Sequence, residues 1–203
     1  MKPSQLFRIF LLLALCTIPG ISSAQSSILV FGDSLSAGYG IPREAAWPVL
    51  LQNELQRTHP HYKVINASIS GETTTGGLRR LPSALKEHRP SIVIIELGAN
   101  DGLRGTQLDI TEKSLATLIK QAQATKAEVL LLGMQLPPNY GLAYTKRFKA
   151  LFPKLAKQYR TELVPFMLEG VTLEQFQADN LHPVAEAQPV ILQTVMQKLK
   201  LML

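Results

Sequence analysis

Four short segments of the 203-residue chain carry residue types that together could run acyl transfer. The first is Gly32-Asp33-Ser34-Leu35-Ser36, directly after the apolar run Ile28-Leu29-Val30-Phe31. Such a run reads as a buried parallel strand, and Gly32 breaks it. Ser34 therefore falls at the carboxyl end of a strand, where open α/β sheets present their reacting groups. Gly-Asp-Ser also makes ordinary turns, so this segment alone leaves both readings open. The second segment is Asp179-Asn180-Leu181-His182-Pro183. A carboxylate three residues before a histidine can hold one imidazole nitrogen and fix the tautomer. The other nitrogen is then free to take a proton from a serine. Pro183 biases His182 away from helical geometry and suits the first position of a following helix. A capping aspartate beside a surface histidine is the alternative.

Two further segments could supply hydrogen-bond donors. Asn66-Ala67-Ser68-Ile69-Ser70-Gly71-Glu72-Thr73 follows the strand-like Tyr62-Lys63-Val64-Ile65. Gly98-Ala99-Asn100-Asp101-Gly102 follows Ser91 to Leu97, an apolar run interrupted only by Glu96 near its end. Glycine lets a backbone N–H approach a reacting oxygen closely. With the Ser34 and Gly71 N–H groups, the Asn100 amide would complete an oxyanion hole, usually the largest single term in acyl transfer. Each segment taken singly also serves as a turn or a helix start. All four lie just after a strand or just before a helix, where one rim can collect them.

The elements that must position these residues alternate along the chain. A helix is expected from Glu44 to Arg57, with Trp47, Leu50, Leu51 and Leu55 at core spacing. A second helix should carry Leu78, Leu81 and Leu85 and stop before Arg89-Pro90. The third strand is followed by a polar, glycine-marked loop from Asn100 to about Asp109. A helix over Thr111–Lys126, a strand over Glu128–Met134, a helix over Tyr144–Tyr159 and a short strand over Glu162–Phe166 come next. The last helix is expected directly after His182. This alternation implies an α/β protein, a three-layer α/β/α sandwich around a parallel sheet. Leu103, Leu136, Pro137, Pro138, Tyr140 and Leu142 fall in loops after the third and fourth strands and could line an acyl groove.

The four blocks also carry a resemblance. Gly32-Asp33-Ser34-Leu35-Ser36, Gly71, Gly98-Ala99-Asn100-Asp101 and Asp179-Asn180-Leu181-His182 resemble, in order, the motifs of the SGNH (GDSL) hydrolase superfamily. More closely, the chain is similar to the bacterial multifunctional esterase family known as acyl-CoA thioesterase I, protease I or lysophospholipase L1. Glu96 to Gly105 and Leu136-Pro137-Pro138-Asn139-Tyr140-Gly141 belong to that likeness. The resemblance implies that Ser34 is the nucleophile, His182 the base and Asp179 its orienting acid. It makes Ser34, Gly71 and Asn100 the oxyanion donors. With right-handed crossovers it implies a flavodoxin-like five-stranded parallel sheet of order 2-1-3-4-5, the SGNH hydrolase fold. The implied activity is hydrolysis of carboxylic esters and thioesters, of acyl-CoA thioesterase, lysophospholipase or arylesterase type, with no metal or organic cofactor. Lysophospholipids are among the implied substrates.

Other readings compete with this one. A carbohydrate deacetylase of the same superfamily and a noncatalytic ligand-binding protein on this fold are the alternatives. Ser36 stands where the Gly-x-Ser-x-Gly elbow of α/β-hydrolases needs its second glycine. No glycine-rich phosphate cradle with Lys-Ser or Lys-Thr occurs. His59 and His61 lack the accompanying cysteines or carboxylates of a metal site.

Composition and the N-terminus set the context. Lys2 and Arg8 precede the apolar run Ile9–Ile18, and Ser22-Ser23-Ala24 places small residues where a signal peptidase reads them. Residues 1–24 are therefore expected to be a signal peptide cleaved after Ala24, leaving 25–203 as a single domain, periplasmic or secreted. The large Leu15 before Cys16 argues against lipid attachment there. Cys16 is the only cysteine, so the mature chain has no disulfide to form and must be stabilised by packing. The formal charge of +6 falls to +4 without Lys2 and Arg8, a mild excess with no long basic run. Nucleic-acid binding has no support in that pattern. A monomer acting on small acyl substrates, with no transmembrane span in the mature form, is the expectation.

Overall fold

In the computed structural model, which describes residues 26–203, strand β1 spans Ser26–Gly32. The segment read as a signal peptide lies outside the described residues. Ile28 to Phe31 are wholly buried, as a strand covered by helices on both faces requires. β1 pairs in parallel with β2 (Tyr62–Asn66) on one side and β3 (Ile92–Glu96) on the other. β4 (Glu128–Leu132) and β5 (Glu162–Val164) extend the sheet past β3. The order is β2-β1-β3-β4-β5, as expected. Its edges are defended: β2 exposes Lys63, and β5 has only three residues.

Helices cover both faces. α2 (Trp47–Thr58) and α7 (Gln188–Leu199) pack together on one side. α3 (Thr74–His88), α5 (Leu108–Ala124) and α6 (Leu142–Tyr159) form a row on the other. Each turns an apolar stripe inward at helical spacing: Trp47, Leu51 and Leu55 in α2, and Phe148, Leu151, Phe152 and Leu155 in α6. Phe148 and Phe152 meet edge to face at 5.5 Å. Burying one such side chain contributes roughly 2–3 kcal/mol, so the sandwich is held by packing.

Chain order makes β1 and β3 the switch point of the sheet. The chain leaves β1 toward β2 and leaves β3 toward β4, so a crevice opens at their carboxyl ends. One-turn helices start there after each strand: α1 (Ser34–Ala37) and α4 (Ala99–Leu103).

Two local expectations are corrected. The segment Asn100–Asp109, expected as a loop, begins inside α4, and only the few residues from Arg104 are turn. Gly98, at φ 119°, turns the chain into this helix, and Gly102 lies so close to Leu136 that a Cβ would come within 2.6 Å of it. Gly102 thus permits close packing. Pro183 does not open the last helix. It sits in an extended bridge with Phe176, and α7 starts at Gln188 with a proline in its first turn. The Gln188 side chain accepts from the Trp47 N–H at 3.1 Å and donates to the Val184 carbonyl, which holds this later start.

Candidate active site

Ser34 opens α1 immediately beyond β1, and Asp33 caps that turn by accepting the Leu35 N–H at 3.1 Å. Gly38, at φ 76°, ends it. From the far end of the sequence, His182 reaches the same spot: its Nε2 lies 2.8 Å from Ser34 Oγ. Its Nδ1 lies 2.6 Å from Asp179 Oδ2. The carboxylate can only accept, so Nδ1 carries the proton and Nε2 accepts from the Ser34 hydroxyl. Asp179 Oδ1 takes the Leu181 and His182 N–H groups at 2.9 and 3.0 Å, an Asx turn that locks the acid beneath the ring. Asn180 turns through φ 55° to close it. The Tyr39 ring packs on the imidazole with centroids 4.6 Å apart.

The predicted donors gather at the same edge. Gly71 adopts φ 78°, a conformation that favours glycine, and Arg104 donates to its carbonyl at 3.0 Å. Among the described residues neither the Ser34 nor the Gly71 N–H has an acceptor. Asn100 directs Nδ2 to Asp33 Oδ2 at 3.0 Å and to the Glu72 carbonyl at 3.1 Å. The 67–72 segment is held from behind by Arg80, which bonds Glu72 at 2.6 Å and the Ala67 carbonyl at 3.0 Å. Its guanidinium lies 4.5 Å over the Phe31 ring.

Three acids are buried under this rim: Asp33, Glu96 and Asp101. Asp101 takes the Thr74 N–H and hydroxyl at 2.8 and 2.6 Å, which ties α3 to α4. Burial pushes the Asp33 carboxyl up to about 6, against the pull of the Leu35 N–H, the Asn100 amide and the electrostatic influence of His182. Burial, reinforced by the charge of Asp33, holds Glu96 well above the usual carboxylate range. At Asp179 desolvation is the largest single effect and raises the carboxyl, but the His182 backbone and ring hydrogen bonds and the Leu181 N–H together outweigh it, so the carboxyl falls to about 2.

Ser34 and His182 line a cleft of about 690 Å³ whose other walls are mostly apolar. Of the expected groove residues, Leu103, Leu136, Pro137 and Pro138 line it. Tyr140 and Leu142 do not: the Tyr140 hydroxyl braces the Leu103 carbonyl at 3.0 Å, and Leu142 is exposed. A wall that sequence reading missed comes from the segment between β5 and α7, with Phe166, Leu168, Leu173 and Phe176. Leu173 opens a single 3-10 turn, Phe166 lies just past the end of β5, Leu168 sits in a turn and Phe176 in an isolated bridge, so no periodicity marks them. Among the described residues no group of three or more His, Cys, Asp or Glu is arranged to hold a metal ion. No described helix is long and apolar enough to cross a membrane.

Fold and site together have the form of an α/β/α hydrolase. The profile of the GDSL-like lipase/acylhydrolase family matches residues 30–188, and the chain belongs to that family. It is 48% identical over 180 residues to Esterase TesA of Pseudomonas aeruginosa, covering 88% of this chain and 90% of that protein. It is 46% identical over 184 residues to Thioesterase 1/protease 1/lysophospholipase L1 of Escherichia coli K12, covering 90% and 86%. The crystal structure of TesA superposes with a TM-score of 0.86 at 47% identity, over 88% of this chain and all of that one. A structure of the psychrotrophic esterase EstA from Pseudoalteromonas, inhibited by monoethylphosphonate, gives 0.83 at 39% identity, over 87% and 98%. The chain is a serine ester hydrolase.

The buried acids fix how stability responds to pH. Asp33 and Glu96 keep protons in the native state at pH values where the unfolded chain has released them. The folded form then binds more protons, so stability falls as pH rises from the ordinary carboxylate range through about 6. Asp179 acts with the opposite sign, below its ordinary 3.8: its contribution is lost as pH falls toward about 2. The melting temperature is expected to be higher at about pH 5 than at about pH 8, with Asp33→Asn narrowing the difference. A melting temperature that climbs steadily from the lower to the higher pH would contradict burial of these acids.

Proposed function

We propose that Ser34 is the nucleophile, His182 the general base and Asp179 the acid that orients it. The observation that carries this reading is the continuous relay from Ser34 Oγ to His182 Nε2 at 2.8 Å and from Nδ1 to Asp179 at 2.6 Å, opening on an apolar cleft. His182 takes the hydroxyl proton as Oγ attacks the acyl carbon of an ester or thioester. The imidazolium that forms is stabilised by Asp179, whose lowered carboxyl stays ionised throughout. Negative charge develops on the former carbonyl oxygen, where the Ser34 and Gly71 N–H groups receive it, joined by the Asn100 amide as it gives up its bond to the Glu72 carbonyl. His182 returns the proton to the leaving group where needed. A water then repeats the sequence on the acyl-enzyme and frees the acid.

The substrate is a single-chain acyl ester or thioester, lysophospholipids among them. The apolar cleft beside Ser34 supports this, as do the relatives named as esterase, thioesterase and lysophospholipase. Residues 25–203 act as one hydrolase domain in a periplasmic or secreted monomer, and 1–24 direct its export. The basic start, the apolar run and Ser22-Ser23-Ala24 support the export reading. N-terminal sequencing of the processed protein should begin at Gln25; retention of the first residues would count against export.

Ser34→Ala should leave a folded protein with kcat on a short ester lowered about a thousandfold or more. Asn100→Ala should lower kcat by about a hundredfold with KM little changed, because its amide binds charge present only in the transition state. Persistent activity in the serine variant would overturn the nucleophile. A loss confined to KM would recast Asn100 as a substrate-binding residue.

Leu173, 84% exposed at the cleft wall, gives a test of chain specificity. Leu173→Asp should lower kcat/KM on ten-carbon acyl esters about tenfold and leave a two-carbon ester unaffected, since only the long chain reaches the wall. Equal effects on both would place the acyl chain elsewhere.

A further inference from the structure

Glu96 is a buried acid that the proposed chemistry does not use. It ends β3, pairs in register with Gly32 of β1, and is 1% exposed. One of its oxygens, Oε2, accepts two hydrogen bonds: from the Asp33 N–H at 3.1 Å and from the Ser36 hydroxyl at 2.7 Å. Those donors flank Ser34 on either side. The same oxygen lies 2.5 Å from where a Cβ on Gly32 would stand. Three residues of the Gly32–Ser36 motif are therefore shaped around this side chain: Gly32 makes room for it, and Asp33 and Ser36 bind it.

We propose that Glu96 is a positioning residue for the nucleophile, clamping the turn on both sides of Ser34 so that its Oγ and N–H are aimed into the cleft. The inference rests on reading Ser34 as the nucleophile. Glu96 makes no contact with His182, Asp179 or the cleft. Its influence runs through the backbone of α1, whose single turn has few hydrogen bonds of its own to fix its direction. Burial favours the protonated carboxyl, and the clamp needs only an oxygen acceptor in either state. An amide in the same place supplies that oxygen. Shortening the side chain by one methylene withdraws it, and a displacement on the order of 1 Å can change a rate a hundredfold.

The test compares Glu96→Gln, Glu96→Asp and Ser36→Ala on a short acyl ester, with kcat referred to active sites titrated by a serine-directed phosphonate. Glu96→Gln should keep kcat within about threefold and the pH profile of wild type. Glu96→Asp should lose about a hundredfold in kcat, with KM within about twofold and slower phosphonylation. Ser36→Ala, which removes one donor and leaves the acid, should lose about tenfold in kcat, and it keeps the test open if Glu96→Asp fails to fold. A merely structural role would lower the titrated fraction or the melting temperature and leave kcat per site unchanged. That result, or a Gln variant as impaired as Asp, would overturn the proposal. A Ser34→Ala control that remains active would instead overturn the nucleophile itself, so the two failures are distinguishable.

Discussion

The contact between the Ser34 hydroxyl and the His182 ring closes a span of 148 residues at 2.8 Å, and the rest of the site is arranged to make it possible. Ser34 is fixed by the sheet, because it follows β1 directly. His182 has no such anchor, since it sits in the irregular segment between β5 and α7. That segment is made rigid by hydrogen bonds, each worth roughly 0.5–1.5 kcal/mol net. Gln177 is the hub: its N–H binds the His182 carbonyl at 2.8 Å, and its amide reaches the Tyr39 and Pro183 carbonyls. One residue thus ties the turn after the serine to the loop that carries the histidine. Gly40 leaves space for the Gln177 amide, where any Cβ would collide with it.

Beneath this contact the site departs from the logic of the core. The middles of β1 and β3 are apolar and buried, yet three acids are buried near their carboxyl ends. Such groups are tolerated only where donors meet them. Asp33 receives Leu35 and Asn100, Glu96 receives Asp33 and Ser36, and Asp101 receives Thr74. The result is a polar lattice joining the ends of β1 and β3 and the start of α3. Stability is given up at this edge, as the raised carboxyls of Asp33 and Glu96 record, and the apolar sandwich offsets the loss. In return, the ends of β1 and β3 and the start of α3 are fixed relative to one another.

Much of this was legible in the residues because strong local signals coincide with the functional ones. The buried strands are continuous apolar runs, and the glycine that ends β1 also introduces Ser34. The acid–histidine spacing within one turn survives folding intact. Less legible was anything set by long-range packing. Gly102 read as a loop residue, although it lies in α4 and lets Leu136 approach. Pro183 read as a helix start because its bridge with Phe176, made by the Val184 N–H on the Gln175 carbonyl and the Gln177 N–H on the His182 carbonyl, has no local signature. Phe166, Leu173 and Phe176 form a cleft wall from aperiodic backbone, and Glu96 looks like an ordinary strand end until β1 is laid beside it.

In the proposed mechanism Ser34, Gly71 and Asn100 surround a single point where an oxyanion forms. A crystal structure of the enzyme carrying a phosphonate on a serine tests it most directly. The adduct should lie on Ser34 Oγ, with its charged oxygen about 2.7–3.1 Å from the Ser34 N, the Gly71 N and the Asn100 Nδ2, and its alkyl group in the apolar cleft. An adduct on Ser34 whose oxygen faces solvent, with the Gly71 and Asn100 donors out of reach, would contradict it.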